Sequence, residues 1–156
     1  MPTNRESLLN SLSYNLWANL ESLRSVQAAA NVPERALAVI AHIPGAERVW
    51  LERVYKTGKP AIPWPGCTPD EAEREIRAAA RDWRELLMSA DLANKVAYAN
   101  SKGDRFENTL EEIVTHMLFH GAYHRGQVAG LLRASGSAPA LTDYIHYVRA
   151  VHRAGT

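Results

Sequence analysis

The sequence predicts an all-α chain folded as a four-helix bundle. Three observations lead there. Four long segments carry apolar residues at the three-to-four spacing of a helix face. Capping signatures and Pro or Gly punctuation mark where these segments begin and end. One of them, HMLFHGAYHRGQ at 116–127, sets His116, His120 and His124 four residues apart among apolar neighbours. Bundles build metal sites inside, from side chains on facing helices.

The length of 156 residues suits one domain, 1–156, around one core. With 46% hydrophobic and 22% charged residues the composition is that of a soluble globular protein. A formal charge of +1 gives no reason to expect nucleic acid or an acidic membrane surface as a partner. Cys67 is the only cysteine, so no internal disulfide forms and a reducing compartment is compatible. The opening MPTNRESLLN has no long apolar run, so no signal peptide is expected. No apolar run reaches the roughly 18 residues of a membrane span. The expected address is the cytoplasm.

The first segment runs from residue 4 to about 30. Leu9, Leu12, Leu16, Leu20 and Leu23 share one face at about 100° per residue. Leu8 and Tyr14 fall outside that stripe, and Trp17 lies at its far side. One core needs one stripe, so the surplus is expected to cover a second copy in a homodimer. Asn31 and Pro33 stop the helix. The second segment, from about 33 to 56, has Leu37, Ile40, Val49, Val54 and Tyr55 as its apolar face, with His42 inside it. The very short link predicts that these two helices are antiparallel neighbours. Pro44-Gly45 after His42 removes a helical hydrogen bond and marks a kink or a break.

Thr57-Gly58-Lys59-Pro60 ends that helix, and a loop over 61–66 follows, in which Pro63 and Pro65 flank Trp64. Thr68-Pro69-Asp70-Glu71 is an N-cap, a first-turn proline and a capping-box partner. The third segment then runs to about 90, with Ala72, Ile76, Ala79, Ala80, Trp83, Leu86 and Leu87 inside. Residues 95–106 read as a short β-hairpin or extended loop around the turn signal Ser101-Lys102-Gly103-Asp104. Thr109-Leu110-Glu111-Glu112 is a second capping box and opens the fourth segment, which ends before Gly136. Thr142-Asp143 precedes a short last helix over 144–151.

The histidines carry the chemistry. A four-residue step advances about 40° around a helix and about 6 Å along it, so the three imidazoles share one narrow stripe. Two at i and i+4 reach one ion; His116 and His124, about 12 Å apart, do not. One adjacent pair is therefore used, and further ligands come from elsewhere. The alternative is a helix that carries histidines on a partly exposed face. His42 alone reads as a hydrogen-bonded core residue, yet a metal on His120 and His124 needs a third protein ligand, and His42 is the only histidine of another long helix. His146 and His152 in the tail read as surface residues. Gln127 is placed to orient a ligand histidine through a hydrogen bond. Arg125 reads as part of a solvated helix face, and Glu47 as a surface charge rather than a base. Cys67 is reactive only if exposed beside positive charge. No serine or cysteine triad, GxGxxG or P-loop is found.

At His120-Gly121-Ala122-Tyr123-His124-Arg125-Gly126-Gln127 the chain resembles the DinB-like, or YfiT-like, family of metalloenzymes. His42 with Trp50, the Asn100-Ser101-Lys102-Gly103 turn and Thr142-Asp143-Tyr144-Ile145 extend the resemblance over nearly the whole chain. It implies a four-helix bundle of up-down-down-up connectivity, usually dimeric. It also implies a divalent metal, zinc or nickel, on three histidines, which by position are His42, His120 and His124. His116 is then a neighbour on the stripe or an alternative ligand. The wider superfamily includes transfer reactions that use low-molecular-weight thiols. The expected function is thus metal-assisted thiol transfer to a small electrophile, with hydrolysis second. The competing expectation is a metal-stabilised stress-response module without turnover.

Overall fold

Three of the four long helices open on a capping box. Thr3, Thr68 and Thr109 each accept from the backbone N–H three residues on, and Glu6, Glu71 and Glu112 reach back to the capping residue. Each box satisfies two of the donors that a helix start leaves free, an effect of about 1 kcal/mol. The last two were readable in the sequence; the Thr3–Glu6 box was not drawn from it.

The computed structural model describes residues 3–154, with side chains described through Val151. Its described residues are mostly helical: α1 (Asn4–Ala28), α2 (Glu34–Tyr55), α3 (Pro69–Ser89), α4 (Leu110–Ala134) and α5 (Tyr144–Ala154). Between α3 and α4 lies one hairpin of β1 (Lys95–Ala99) and β2 (Arg105–Thr109). The strands pair antiparallel, with Tyr98 opposite Phe106. Gly103 turns the chain at φ 88°, a backbone region open chiefly to glycine. Among the described residues no helix is long and apolar enough to cross a membrane. The side chain of His152 lies outside the described residues.

Side-chain contacts fix the directions of the four long helices. Arg5, near the start of α1, reaches the carbonyls of Leu87 and Ala90 at the end of α3, so these two run in opposite senses. Asn4 meets Glu111, while Asn15 and Asn19 meet Arg125, so α1 and α4 run the same way. Arg48 of α2 pairs with Glu75 and Asp82 of α3, and α2 runs against α4, since His42 meets His124 while Trp50, further along α2, meets His116, earlier on α4. Both α1 and α2 pack mainly on α3 and α4, and touch each other less. This corrects the expectation that α1 and α2 are neighbours: they face each other across the interior. The five residues between them, at about 3.3–3.6 Å each when extended, are long enough to cross it.

The apolar core is in two parts. One holds Leu20, Leu23, Val26, Val39, Ile40, Ile43, Ile76, Val128 and Leu132. The other holds Leu8, Leu12, Leu51, Trp83, Leu87, Leu110, Ile113, Val114 and Met117. Between them, along three of the four long helices, come buried polar residues: Asn15 and Asn19 on α1, Glu47 on α2, Arg125 on α4. The buried face of α1 keeps Leu12, Leu20 and Leu23 of the leucine stripe and adds Leu8, whereas Leu9 and Leu16 are only half-buried, because the face turns to include Asn15 and Asn19.

The apparent surplus on α1 is also explained within the chain. Tyr14 packs edge-on against Tyr144, Trp17 lies 5.3 Å from the Tyr147 ring, and the Tyr14 hydroxyl donates to the Thr142 carbonyl at 2.6 Å. Helix α5 and the segment before it therefore cover the rings that suggested a second copy. His146 is exposed beside Trp17, as expected of the tail.

Candidate metal centre

Helix α4 presents its histidines where α2 passes in the opposite sense. His120 and His124 stand one turn apart, with their Nε2 atoms 3.0 Å from each other. His42 comes from α2, its ring 5.1 Å from that of His120 and 4.6 Å from that of His124. One nitrogen from each of the three lies within 4.8 Å of the others. A tetrahedral ion with metal–nitrogen bonds of about 2.0–2.1 Å spaces its ligands about 3.3 Å apart, so the three rings are close enough to hold one. His116 is not in the group. It is exposed, with its ring 5.7 Å from His120 and 5.4 Å from Trp50.

Two outer hydrogen bonds set the tautomers. His42 Nδ1 donates to the Pro63 carbonyl at 2.6 Å, and His124 Nδ1 donates to Gln127 Oε1 at 2.8 Å. Both rings then turn an unprotonated Nε2 toward the centre, as ligand histidines do. The role read for Gln127 in the sequence matches this contact. Burial, then the neighbouring His124, His42 and His116, bring the His120 pKa down to about 4. Burial lowers His42 as well, against the hydrogen bond to Pro63, with His124 and Arg35 adding to the fall. His116 is lowered by burial and by Arg53. Neutral imidazole is the form that ligates.

The loop read in the sequence over 61–66 closes one side, a contact with His42 that the sequence reading did not include. Residues 61–66 bring Trp64 flat against the His42 ring, with centroids 3.8 Å apart and planes 8° apart. Arg35 sits over the other part of this stack, 5.0 Å from the Trp64 ring. Pro44-Gly45 does not break α2, which continues to Tyr55. Gly45 instead makes room for the loop: a Cβ there would lie 2.6 Å from the Pro63 oxygen. A Pro-Gly step inside an apolar helix face, followed by a Pro-rich loop, was the signal available for this contact.

Two readings from the sequence are corrected here. Arg125 is not on a solvated face; it is 3% exposed and donates to Asn15 Oδ1 at 2.7 Å and Asn19 Oδ1 at 2.8 Å. Glu47 is not a surface charge; it is 5% exposed and accepts from Asn15 Nδ2 at 3.0 Å. Burial pushes the Glu47 carboxyl up to about 7, against the pull of Asn15, Arg125 and Arg48. Glu47 and Arg125 are buried together, bridged by Asn15, so that neither lacks a hydrogen-bond partner. The signal for this was Asn15 and Asn19, two amides one turn apart within a leucine pattern. Cys67 is partly buried, and burial with Glu71 and Glu75 raises its thiol, opposite to the shift that makes a cysteine reactive.

Protein DinB of Bacillus subtilis (strain 168) is 25% identical over 154 residues, covering 86% of this chain and 90% of that protein. No solved structure matches the chain significantly. The family model described as DinB family matches residues 6–154, which take in α2, α4 and all three clustered histidines, and the chain belongs to the DinB family.

Proposed function

We propose that this protein is a metal-dependent enzyme, with one divalent ion held by His42, His120 and His124 in a four-helix bundle of up-down-down-up connectivity. The observation that carries the reading is the composition of the cluster. Three imidazoles converge, and among the described residues no further His, Cys, Asp or Glu joins them. Structural zinc sites close with four protein ligands, whereas catalytic ones use three and keep a position for water or substrate. The donor set of neutral nitrogens suits zinc or nickel.

A divalent ion there supplies Lewis acidity and lowers the pKa of a thiol or water that it takes up. The chain's own residues do the rest. Pro63 and Gln127 hold the His42 and His124 rings in the ligating tautomer. Trp64 and the loop that carries it shield His42 from solvent. The reaction we favour is transfer of a low-molecular-weight thiol to a small electrophile, with hydrolysis second. No side chain is assigned as general acid or base.

The test is thiol consumption by zinc- and nickel-loaded protein over a panel of small electrophiles. The reading expects turnover that stops on chelation and in His120→Ala. Loss of thiol at the same rate with loaded, chelated and His120→Ala protein would overturn it. Turnover without thiol consumption would move the assignment to hydrolysis.

A further inference from the structure

The polar layer that divides the core is more than a stabilising patch. We propose that it is the positioning device of the histidine centre: the chain Glu47–Asn15–Arg125, with Asn19, sets the register of α4 against α2 and hence the spacing of His120 and His124 from His42. The inference rests on the reading of those histidines as a ligand set.

The links are directional and cross three helices. Arg125 of α4 donates from Nη1 to both Asn15 Oδ1 and Asn19 Oδ1 of α1. The Asn15 amide then donates to Glu47 Oε1 of α2. All four residues are buried, at 5% exposure or less. Above and below them the packing is apolar. Apolar contact is not directional, so it tolerates a slip of one helix along another. A slip of one residue moves a side chain by about 1.5 Å, whereas a functional constellation needs about 0.5 Å. Hydrogen bonds with fixed geometry supply the missing restraint.

The layer also lies at the ligands. Arg125 follows His124 directly, and Glu47 is five residues past His42, about 7.5 Å along α2. Gly121 follows His120 and packs against the same network. A Cβ at Gly121 would lie 2.7 Å from Asn15 Oδ1 and 3.0 Å from Arg125 Nη1. Glycine is needed there so that α4 can close on the asparagine. The two helices that carry the histidines are thus tied to each other through α1, while α3 passes the same level with buried Ala79.

The experiment removes the two charges together, so that neither is stranded. Glu47→Gln/Arg125→Met is compared with the wild type and with Arg125→Lys, which keeps a cation and donors for the asparagines. Three quantities are measured: zinc affinity by chelator competition, the visible absorption of the cobalt(II) form, and ring-to-ring NOEs between His42 and His124 in metal-free protein. The paired variant should fold, bind zinc about tenfold or more weakly, as outer-shell losses do, shift the cobalt band and weaken the NOEs. Arg125→Lys should recover most of each. A folded paired variant with wild-type zinc affinity, cobalt spectrum and NOEs would overturn the proposal. Should the paired variant not fold, Asn19→Leu, which cuts one link and no charge, should show the same three changes to a smaller degree; no change there overturns it equally. Wild-type protein that takes up no zinc would sink the ligand reading, and the metal-free NOEs would still decide whether the layer sets the ring spacing.

Discussion

Two of the three rings of the centre, His42 and His124, are each held by an atom that decides which nitrogen keeps its proton. For His124 that atom is Gln127 Oε1, three residues on along the same helix, so the contact was legible in the sequence. Gln127→Ala should weaken zinc binding about tenfold or more by freeing the ring; chelator competition measures it, and an unchanged affinity would remove Gln127 from the account. Glu47 gives a pH prediction with a definite sign. Its folded pKa of about 7 lies above the ordinary carboxyl value, so between about 4.5 and 7 the folded state binds more protons than the unfolded one. The stability it contributes therefore falls as pH rises through that window. Denaturation of metal-free protein should show wild type losing stability relative to Glu47→Gln between pH 4.5 and 7.5; a constant difference would mean that Glu47 is ionised throughout. The depth of Glu47 and Arg125 was not legible, because a sequence displays charge but not what lies across the interior from it.

Elements were the most legible scale, for a local reason. The Thr68 and Thr109 capping boxes, the Gly136 terminus and the hairpin turn are contacts between residues close in sequence. Thr68→Ala should cost about 1 kcal/mol of unfolding free energy. Trp83, fully buried in the core beside Leu87 and Ile113, should cost about 3–5 kcal/mol on replacement by alanine. Both are read by chemical denaturation, and equal losses would contradict the packing described. The docking of the loop over 61–66 was not legible, though the loop itself was, since its partners, His42 and Gly45, lie about twenty residues earlier. Gly45→Ala places a methyl group against the Pro63 carbonyl and should push the loop off His42. The hydrogen-bonded Nδ1 proton of His42, observed by NMR, should then broaden into exchange with water. A sharp, unshifted resonance would show that the loop is held by other contacts.

At the scale of the whole molecule, the helical class followed from periodicity, and the convergence of His42 on α2 with His120 and His124 on α4 followed from the family resemblance. The diagonal placement of α1 and α2 did not, because a short link limits distance and leaves the choice of neighbour to packing. The homodimer remains a proposal, now without Tyr14 and Trp17, which α5 covers. Phe119 and Tyr123 on α4 are among the exposed apolar residues that support it. Light scattering at micromolar concentration should give twice the 17.3 kDa chain mass, and a monomer unchanged on concentration would reject it.

The central claim is that two helices bring three histidines to one ion, and metal content per chain tests it most directly. Wild-type protein loaded with zinc and dialysed should retain a stoichiometric amount. His42→Ala, His120→Ala and His124→Ala should each lose it, and His116→Ala should keep most of it. Zinc retained in all four variants, or lost in His116→Ala and kept in His124→Ala, would contradict the account.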